Sequence, residues 1–173
     1  MIERLVLIGV MCSGKSTVGR LAAERLDWDF VDFDDAIEHD HNQRIADIFR
    51  DHGESHFRGL EAKMTAKMAG SRDVVLAPGG GWVTQPALVD QLRPGGLIVW
   101  LRVQAEAALE RHLRQATVER PLLATDDPLG VVHSVLSERR PLYEVADAVI
   151  ETDSLTPDEV AAEIVRLMRQ HDS

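Results

Sequence analysis

Apolar residues along the chain follow two alternating patterns. Short continuous β-branched and aliphatic runs read as strands buried on both faces. Longer stretches, with apolar positions recurring every three or four residues, read as amphipathic helices. "RLVLIG" (4–9) is the first strand, and Lys15 to Leu26 follows as a helix carrying Val18, Leu21, Ala22 and Leu26 on one face. "DFVDF" (29–33) is a short second strand, and residues 34–40, 44–51 and 54–69 look helical. "DVVLA" (73–77) is a third strand ending in "PGGG", and a helix over 83–92 is closed by the breaker cluster "RPGG". "LIVWL" (97–101) is the fourth strand, with a helix over 104–114. "QATVERPLLATDDP" (115–128) has no period and reads as a loop. A helix over 129–145, a fifth strand "DAVIE" (147–151) and a helix over 157–170, with Pro157 near its start, complete the chain.

Five strands separated by helices predict an α/β fold, a five-stranded parallel sheet flanked by helices in three layers, with right-handed crossovers. Ligands of such sheets bind beyond the carboxyl ends of the strands, where every motif below falls. No repeat, low-complexity run or linker divides residues 1–173, so they read as one domain. The segments 34–60 and 115–128 are its candidate substrate and lid regions.

Composition narrows the partners. A formal net charge of -10 leaves no general field for nucleic acid, and no apolar run approaches membrane-spanning length. Anionic ligands would have to be held by local cations, and there are sixteen arginines against three lysines. Cys12 is the only cysteine, in agreement with a reducing, cytoplasmic compartment.

"GVMCSGKS" (9–16) fits G-x-x-x-x-G-K-[ST], after a strand and before a helix. Gly9 and Gly14 permit the turns that point successive N–H groups inward, and the helix N-terminus adds its dipole. Gly9, Ser13, Gly14, Lys15, Ser16 and Thr17 are the candidate nucleotide contacts. Lys15 would sit against the β and γ phosphates and Ser16 would ligate Mg²⁺. Cys12 reads as a small loop filler. The loop predicts triphosphate binding and leaves the acceptor open.

In "FVDFDDAIE" (30–38), Asp32 and Asp34 stand two apart at a strand end, so both can point into one cleft. One can support Mg²⁺ and the other can take a hydroxyl proton. Asp35 reads as a helix-capping acid. In "GESHFRGLE" (53–61), Glu54, Arg58 and Glu61 share one helical face. They form either a solvated ion-pair ladder or a guanidinium held rigid for a ligand carboxylate. "APGGGW" (77–82) offers backbone N–H groups with no side chains in the way, and Ala77-Pro78 stands where an acid often supports the metal. That assigns metal support to Asp32. Arg120 in "ERPLL" could close over the phosphates, and Arg139 or Arg140 in "SERRPLYE" could face the cleft. His39 and His41, two apart with no second cluster, read as a solvated face rather than metal ligands.

In order and spacing these motifs resemble the shikimate kinase family over nearly the whole chain: "GxxxxGKST", "FxDxDxxIE", "GESHFRGLE", "GGG", "IVWL", "RPLL", "RRPLYE" and "IETDSLTPDEV". The resemblance implies a P-loop kinase fold and a monomeric cytoplasmic enzyme. It implies transfer of the ATP γ-phosphate to the 3-hydroxyl of shikimate, with Mg²⁺. It implies a shikimate set of Asp34, Arg58, Gly79, Gly80, Gly81 and Arg139, the two arginines on the carboxylate. Lys15 and Arg120 would stabilise the transferring phosphoryl group, and Ser16 and Asp32 would support the metal. Arg114, or alternatively Arg111, would pack on adenine beside an edge loop at 152–157. In family terms 34–60 is the substrate-binding insertion and 115–124 the lid.

The chain departs from the pattern at Trp82, where many relatives carry a small residue, and Trp82 is expected to turn away as packing. It also departs in "VTQPALVDQL", without the usual Asn-Arg pair, and in "HDHNQR", without the usual glycine. Two other functions fit parts of the sequence. A gluconate kinase would share the P-loop and sheet but not "GESHFR" together with "RRPLY". A non-catalytic nucleotide-binding switch has no use for Asp34 and Arg120.

Overall fold

The computed structural model describes residues 1–115 and 123–171. The strands are β1 (Arg4–Ile8), β2 (Asp29–Asp32), β3 (Val74–Ala77), β4 (Gly96–Arg102) and β5 (Ala148–Glu151). The helices are α1 (Lys15–Leu26), α2 (Phe33–His41), α3 (Ile45–Met68), α4 (Pro86–Leu92), α5 (Ala105–Arg114), α6 (Pro128–Tyr143) and α7 (Pro157–His171), with a 3₁₀ turn at Trp82–Thr84. The sheet order is β2-β3-β1-β4-β5, and every pairing is parallel.

Both faces of the sheet are covered, which explains why its strands read as continuous apolar runs. Leu5 and Leu7 point to the side of α1 and α7, against Val18, Ala22, Val160 and Ile164. Val6 and Ile8 point the other way, against Phe33, Ile48, Phe57, Trp82 and Tyr143. The chain leaves β1 toward one edge, to β2, and leaves β3 toward the other, crossing β1 to reach β4. The loops after these adjacent strands therefore diverge and open a crevice at their carboxyl ends.

Three boundaries differ from the sequence reading, each for a local reason. The second strand stops at Asp32 because Asp32 caps α2: its Oδ1 accepts from the N–H of Asp34 at 3.0 Å and of Asp35 at 3.3 Å. The helix expected over 83–92 is a 3₁₀ turn followed by a helix starting at Pro86. Proline disfavours helical angles in its predecessor, and Gln85 sits at φ -115, ψ 83. The segments 44–51 and 54–69 form one helix with a kink at Gly53, whose φ of 82 and ψ of 170 are open to glycine alone at little cost.

Arg4 ties the opposite end of the sheet together. Its guanidinium, only 3% exposed, donates to the carbonyls of Ser71 at 2.6 Å and of Pro94. Arg4→Ala should strip both carbonyls of their donor and lower unfolding free energy by roughly 1.5–3 kcal/mol. Urea unfolding would measure this; a loss below about 0.5 kcal/mol, the ordinary surface value, would contradict it.

Candidate active site

The phosphate loop takes the shape its glycines allow. Gly14 precedes α1 at φ 95, ψ 9, and Gly9 has φ 154. A methyl group on Gly9 would lie 2.7 Å from both the Leu101 carbonyl and Ser13 Oγ, so the loop closes tightly there. Lys15 Nζ donates to the carbonyls of Gly9 at 2.7 Å and Val10 at 3.2 Å, which holds the ammonium against the loop. Ser16 and Thr17 are exposed at the start of α1, whereas Ser13 is buried with its hydroxyl packed inward. Ser13 therefore presents backbone rather than side chain to the cleft. Cys12 is buried too, with a left-handed φ of 61.

A cleft of about 480 Å³ opens in front of this loop and is also lined by Asp32, Asp34, Gly79, Gly80, Arg111, Arg114 and the 152–157 segment. The two candidate adenine arginines differ. Arg111 donates to the carbonyls of Cys12 at 3.3 Å and Ser13 at 3.4 Å, and to the Thr152 carbonyl at 2.8 Å, joining the phosphate loop to the segment after β5. Arg114 is exposed on the rim and pairs with Glu110. Arg120 and most of the lid region fall at 116–122, outside the described residues.

Asp32 and Asp34 reach the same cleft, although not by strand alternation. Asp32 ends β2, and Asp34 lies in the first turn of α2. Asp32 both caps that helix and, through Oδ2, accepts from the Ser16 hydroxyl. Asp35 points out and pairs with Arg20 at 3.0 Å. Burial, with the Asp32 charge adding and Lys15 opposing, pushes the Asp34 carboxyl up to about 6.

The turn at Gly79–Gly81 is the meeting point. A methyl on Gly79 would stand 3.1 Å from Glu61 Oε1 and 3.2 Å from Asp34 Oδ1, and both oxygens are buried without a hydrogen-bond partner. A methyl on Gly80 would stand 3.4 Å from Arg139 Nη1 and 3.4 Å from the Gly9 carbonyl. One on Gly81 would overlap the Arg58 guanidinium, 2.9 Å from Cζ. These glycines have no positive φ; close approach, not backbone angle, excludes a side chain at Gly81 and crowds one at Gly79, whereas a methyl at Gly80 would make only ordinary contacts.

Arg58 is held by acids on its own helix, donating to Glu61 Oε2 at 2.6 Å and to Glu54 Oε1 at 3.1 Å. Glu61 is fully buried and Glu54 is exposed, so Glu61 is the fixed anchor and the face is more than a solvated ladder. Burial pushes the Glu61 carboxyl up to about 7, Arg58 opposing and Asp34 adding. Of the two late α6 arginines, Arg139 faces the turn and Arg140 points outward toward Glu144.

Sequence reasoning missed Tyr143, one helical turn beyond Arg139. Its hydroxyl donates to the Gly80 carbonyl at 2.8 Å, and its ring stacks on Trp100 at 5.4 Å between centroids. The only signal was its place in "RRPLYE". Trp82 does turn away as packing: it is fully buried, and its indole N–H donates to Thr65 Oγ1 at 2.9 Å. His39 and His41 are exposed, and no metal-binding cluster of three or more His, Cys, Asp or Glu occurs among the described residues.

This geometry can be set beside known proteins. The shikimate kinase family model matches residues 11–169. The chain belongs to the shikimate kinase family. A shikimate kinase of Thermodesulfovibrio yellowstonii is 41% identical over 164 residues, covering 95% of this chain and 94% of the relative. The crystal structure of shikimate kinase from Acinetobacter baumannii in complex with shikimate superposes with a TM-score of 0.91 at 35% identity, covering 99% of this chain and 95% of that one. A gluconokinase from Sinorhizobium meliloti, covering 97% of this chain and 94% of its own, reaches a TM-score of 0.60 at 19% identity, a likeness of fold alone.

Two outcomes follow from the glycine turn and its acids. Gly81→Ala should fold, since the obstructed group is the far end of a flexible side chain, but it should displace Arg58 and raise KM for an acidic acceptor; an unchanged KM would contradict the packing. The second concerns pH. A carboxyl raised on folding binds more protons in the native than in the unfolded state between the two values, so its contribution is full below the unfolded value and is lost as pH rises through the folded one. For Asp34 that window runs from 3.8 to about 6. Asp34→Asn should therefore show a flatter fall in Tm across this range and exceed the wild type in stability above it, as read by thermal scans.

Proposed function

We propose that this chain is an ATP-dependent shikimate kinase that transfers the γ-phosphate to the 3-hydroxyl of shikimate, in the supply of aromatic amino acids through chorismate. The observation that carries the reading is the convergence at residues 79–81, where Asp34, Arg58 and Arg139 each approach a different glycine of one turn beside the phosphate loop. A small ring bearing both hydroxyls and a carboxylate matches a buried acid at one end of a turn and two guanidiniums along the rest of it. A gluconate kinase has no comparable support, because the likeness to that fold stops at its backbone.

Each group then has a role. The loop N–H groups and the dipole of α1 hold the phosphates, and Lys15, released from the carbonyls of Gly9 and Val10, moves onto the transferring group. Arg58 and Arg139 clamp the carboxylate, with Glu61 keeping the Arg58 guanidinium in one orientation. Asp34, ionised at neutral pH but raised toward it, orients the attacking hydroxyl and accepts its proton. Ser16 and Asp32 fit Mg²⁺: their oxygens already touch each other at the cleft, and both are hard oxygen donors. When bound, the ion would neutralise charge on the β and γ phosphates. Arg120 is assigned to the phosphoryl group and Arg114 or Arg111 to adenine. The single cysteine fits a cytoplasmic setting, and we assign the enzyme a monomeric state. Among the described residues no helix is long and apolar enough to cross a membrane.

The test is ADP release from purified protein with MgATP and, separately, shikimate, gluconate or a nucleoside monophosphate panel. Shikimate should give the fastest release; a faster gluconate rate would overturn the acceptor, and no acceptor-dependent release would leave a nucleotide-binding switch. Lys15→Met and Asp34→Asn should each abolish turnover, and near-full activity in Asp34→Asn would remove its assigned role. In the wild type, kcat/KM should fall as pH drops below about 6, where Asp34 takes up a proton.

A further inference from the structure

The turn after the glycines also grips Glu61 from outside Arg58's own helix. Gln85 Nε2 donates to Glu61 Oε2 at 3.2 Å, the same oxygen that accepts from Arg58 Nη1 at 2.6 Å. From the same turn, the Trp82 indole donates to Thr65 Oγ1 at 2.9 Å, and Thr65 Oγ1 donates to the Glu61 carbonyl at 2.8 Å. One short segment therefore reaches the Glu61 carboxylate directly and the Glu61 carbonyl through Thr65.

Gln85 makes this contact at a local cost. It occupies the N-cap of α4, where Ser, Thr, Asp or Asn would satisfy a free backbone N–H, yet its side chain makes no capping bond. Its backbone is restrained by Pro86 after it and by its own N–H bond to the Trp82 carbonyl at 3.1 Å. The side chain is thus launched from a fixed point, away from its own helix and toward α3.

The consequence falls on Arg58. A guanidinium between two acids of one helix can shift toward either, and Glu54 is free to follow it into solvent. Glu61 gives a fixed reference only if its own carboxylate cannot rotate. A second donor on Oε2 supplies that restraint and leaves Oε1 turned toward Gly79 and Asp34.

We propose that Gln85, supported by Trp82, is a positioning residue for acceptor recognition, acting through Glu61 to hold Arg58 at the angle that meets the acceptor's carboxylate. The inference rests on the reading that Arg58 binds that carboxylate. It explains the large residue at 82 as part of the same device: Trp82 fills the space under the turn and bonds to the helix turn that carries Glu61.

Gln85→Ser separates positioning from folding, because serine can cap α4 but is too short to reach Glu61. Its Tm should equal or exceed that of the wild type, while KM for shikimate rises roughly three- to tenfold, kcat stays within about twofold and KM for MgATP does not move. Gln85→Glu keeps the length but sets a carboxylate against Glu61 Oε2, and should raise KM for shikimate further. With shikimate methyl ester, Gln85→Ser and the wild type should behave alike. Arg58→Ala serves as the reference. If Arg58→Ala raises KM for shikimate and both Gln85 variants leave it unchanged, the positioning role is overturned while the carboxylate reading stands. If Arg58→Ala itself leaves KM unchanged, the carboxylate reading fails and this inference fails with it. A parallel loss of Tm and kcat in both Gln85 variants, with KM unmoved, would mean a structural role only.

Discussion

The absence of side chains at three consecutive positions is the constraint on which the rest of the structure depends. Gly79, Gly80 and Gly81 lie where the loop after β3 passes the loop after β1, and each admits a different group: a pair of acids, the Arg139 guanidinium with the phosphate loop, and the Arg58 guanidinium. A β-carbon would overlap the Arg58 guanidinium at Gly81, crowd two carboxylates at Gly79 and just touch Arg139 at Gly80. The sheet order brings this about, since β3 and β1 are neighbours whose chains leave in opposite directions.

Charge is handled locally against the average. The chain is acidic overall, and the cleft itself holds Asp32, Asp34 and the neighbouring Glu61, yet its proposed ligands are anions. The arrangement works because the cations are fixed by hydrogen bonds. Lys15 rests on loop carbonyls, Arg58 on Glu61, and Arg111 on Thr152 and the loop. Burial first, and neighbouring acids second, let Asp34 and Glu61 hold protons to unusually high pH. Such burial of acids works against stability near neutrality, and perturbed carboxyls of this kind cluster at functional sites.

Much of this was legible in the sequence because it is local. The phosphate loop is set by its own glycines and the following helix, and the strands by runs short enough to read directly. Asp32 and Asp34 both line the cleft, but not by the strand alternation that their spacing suggests: a helix begins at Phe33, and Asp34 gets there on its first turn. The interruption at residues 52 and 53 was visible as a gap between two helical stretches, while the continuity of α3 across it was not. Contacts between distant parts left no pattern. Nothing in a linear reading joins Tyr143 to Gly80, Arg111 to Cys12, or Gln85 to Glu61, because each depends on how helices pack on a sheet. Helix phase likewise decided between Arg139 and Arg140. Arg120 lies outside the described residues, and its assignment rests on sequence alone.

The break in α3 at Gly53 divides that helix into two pieces with separate duties. The inner piece, from Glu54 onward, carries Arg58 and Glu61 and packs Phe57, Leu60 and Met64 into the core. The outer piece follows α2 and seats Ile48 in the same core. Because the regular hydrogen-bond ladder is interrupted between them, length changes or drift upstream of the kink need not rotate the inner piece out of register with the glycine turn. A shift upstream is thus absorbed at Gly53 before it reaches Arg58 and Glu61.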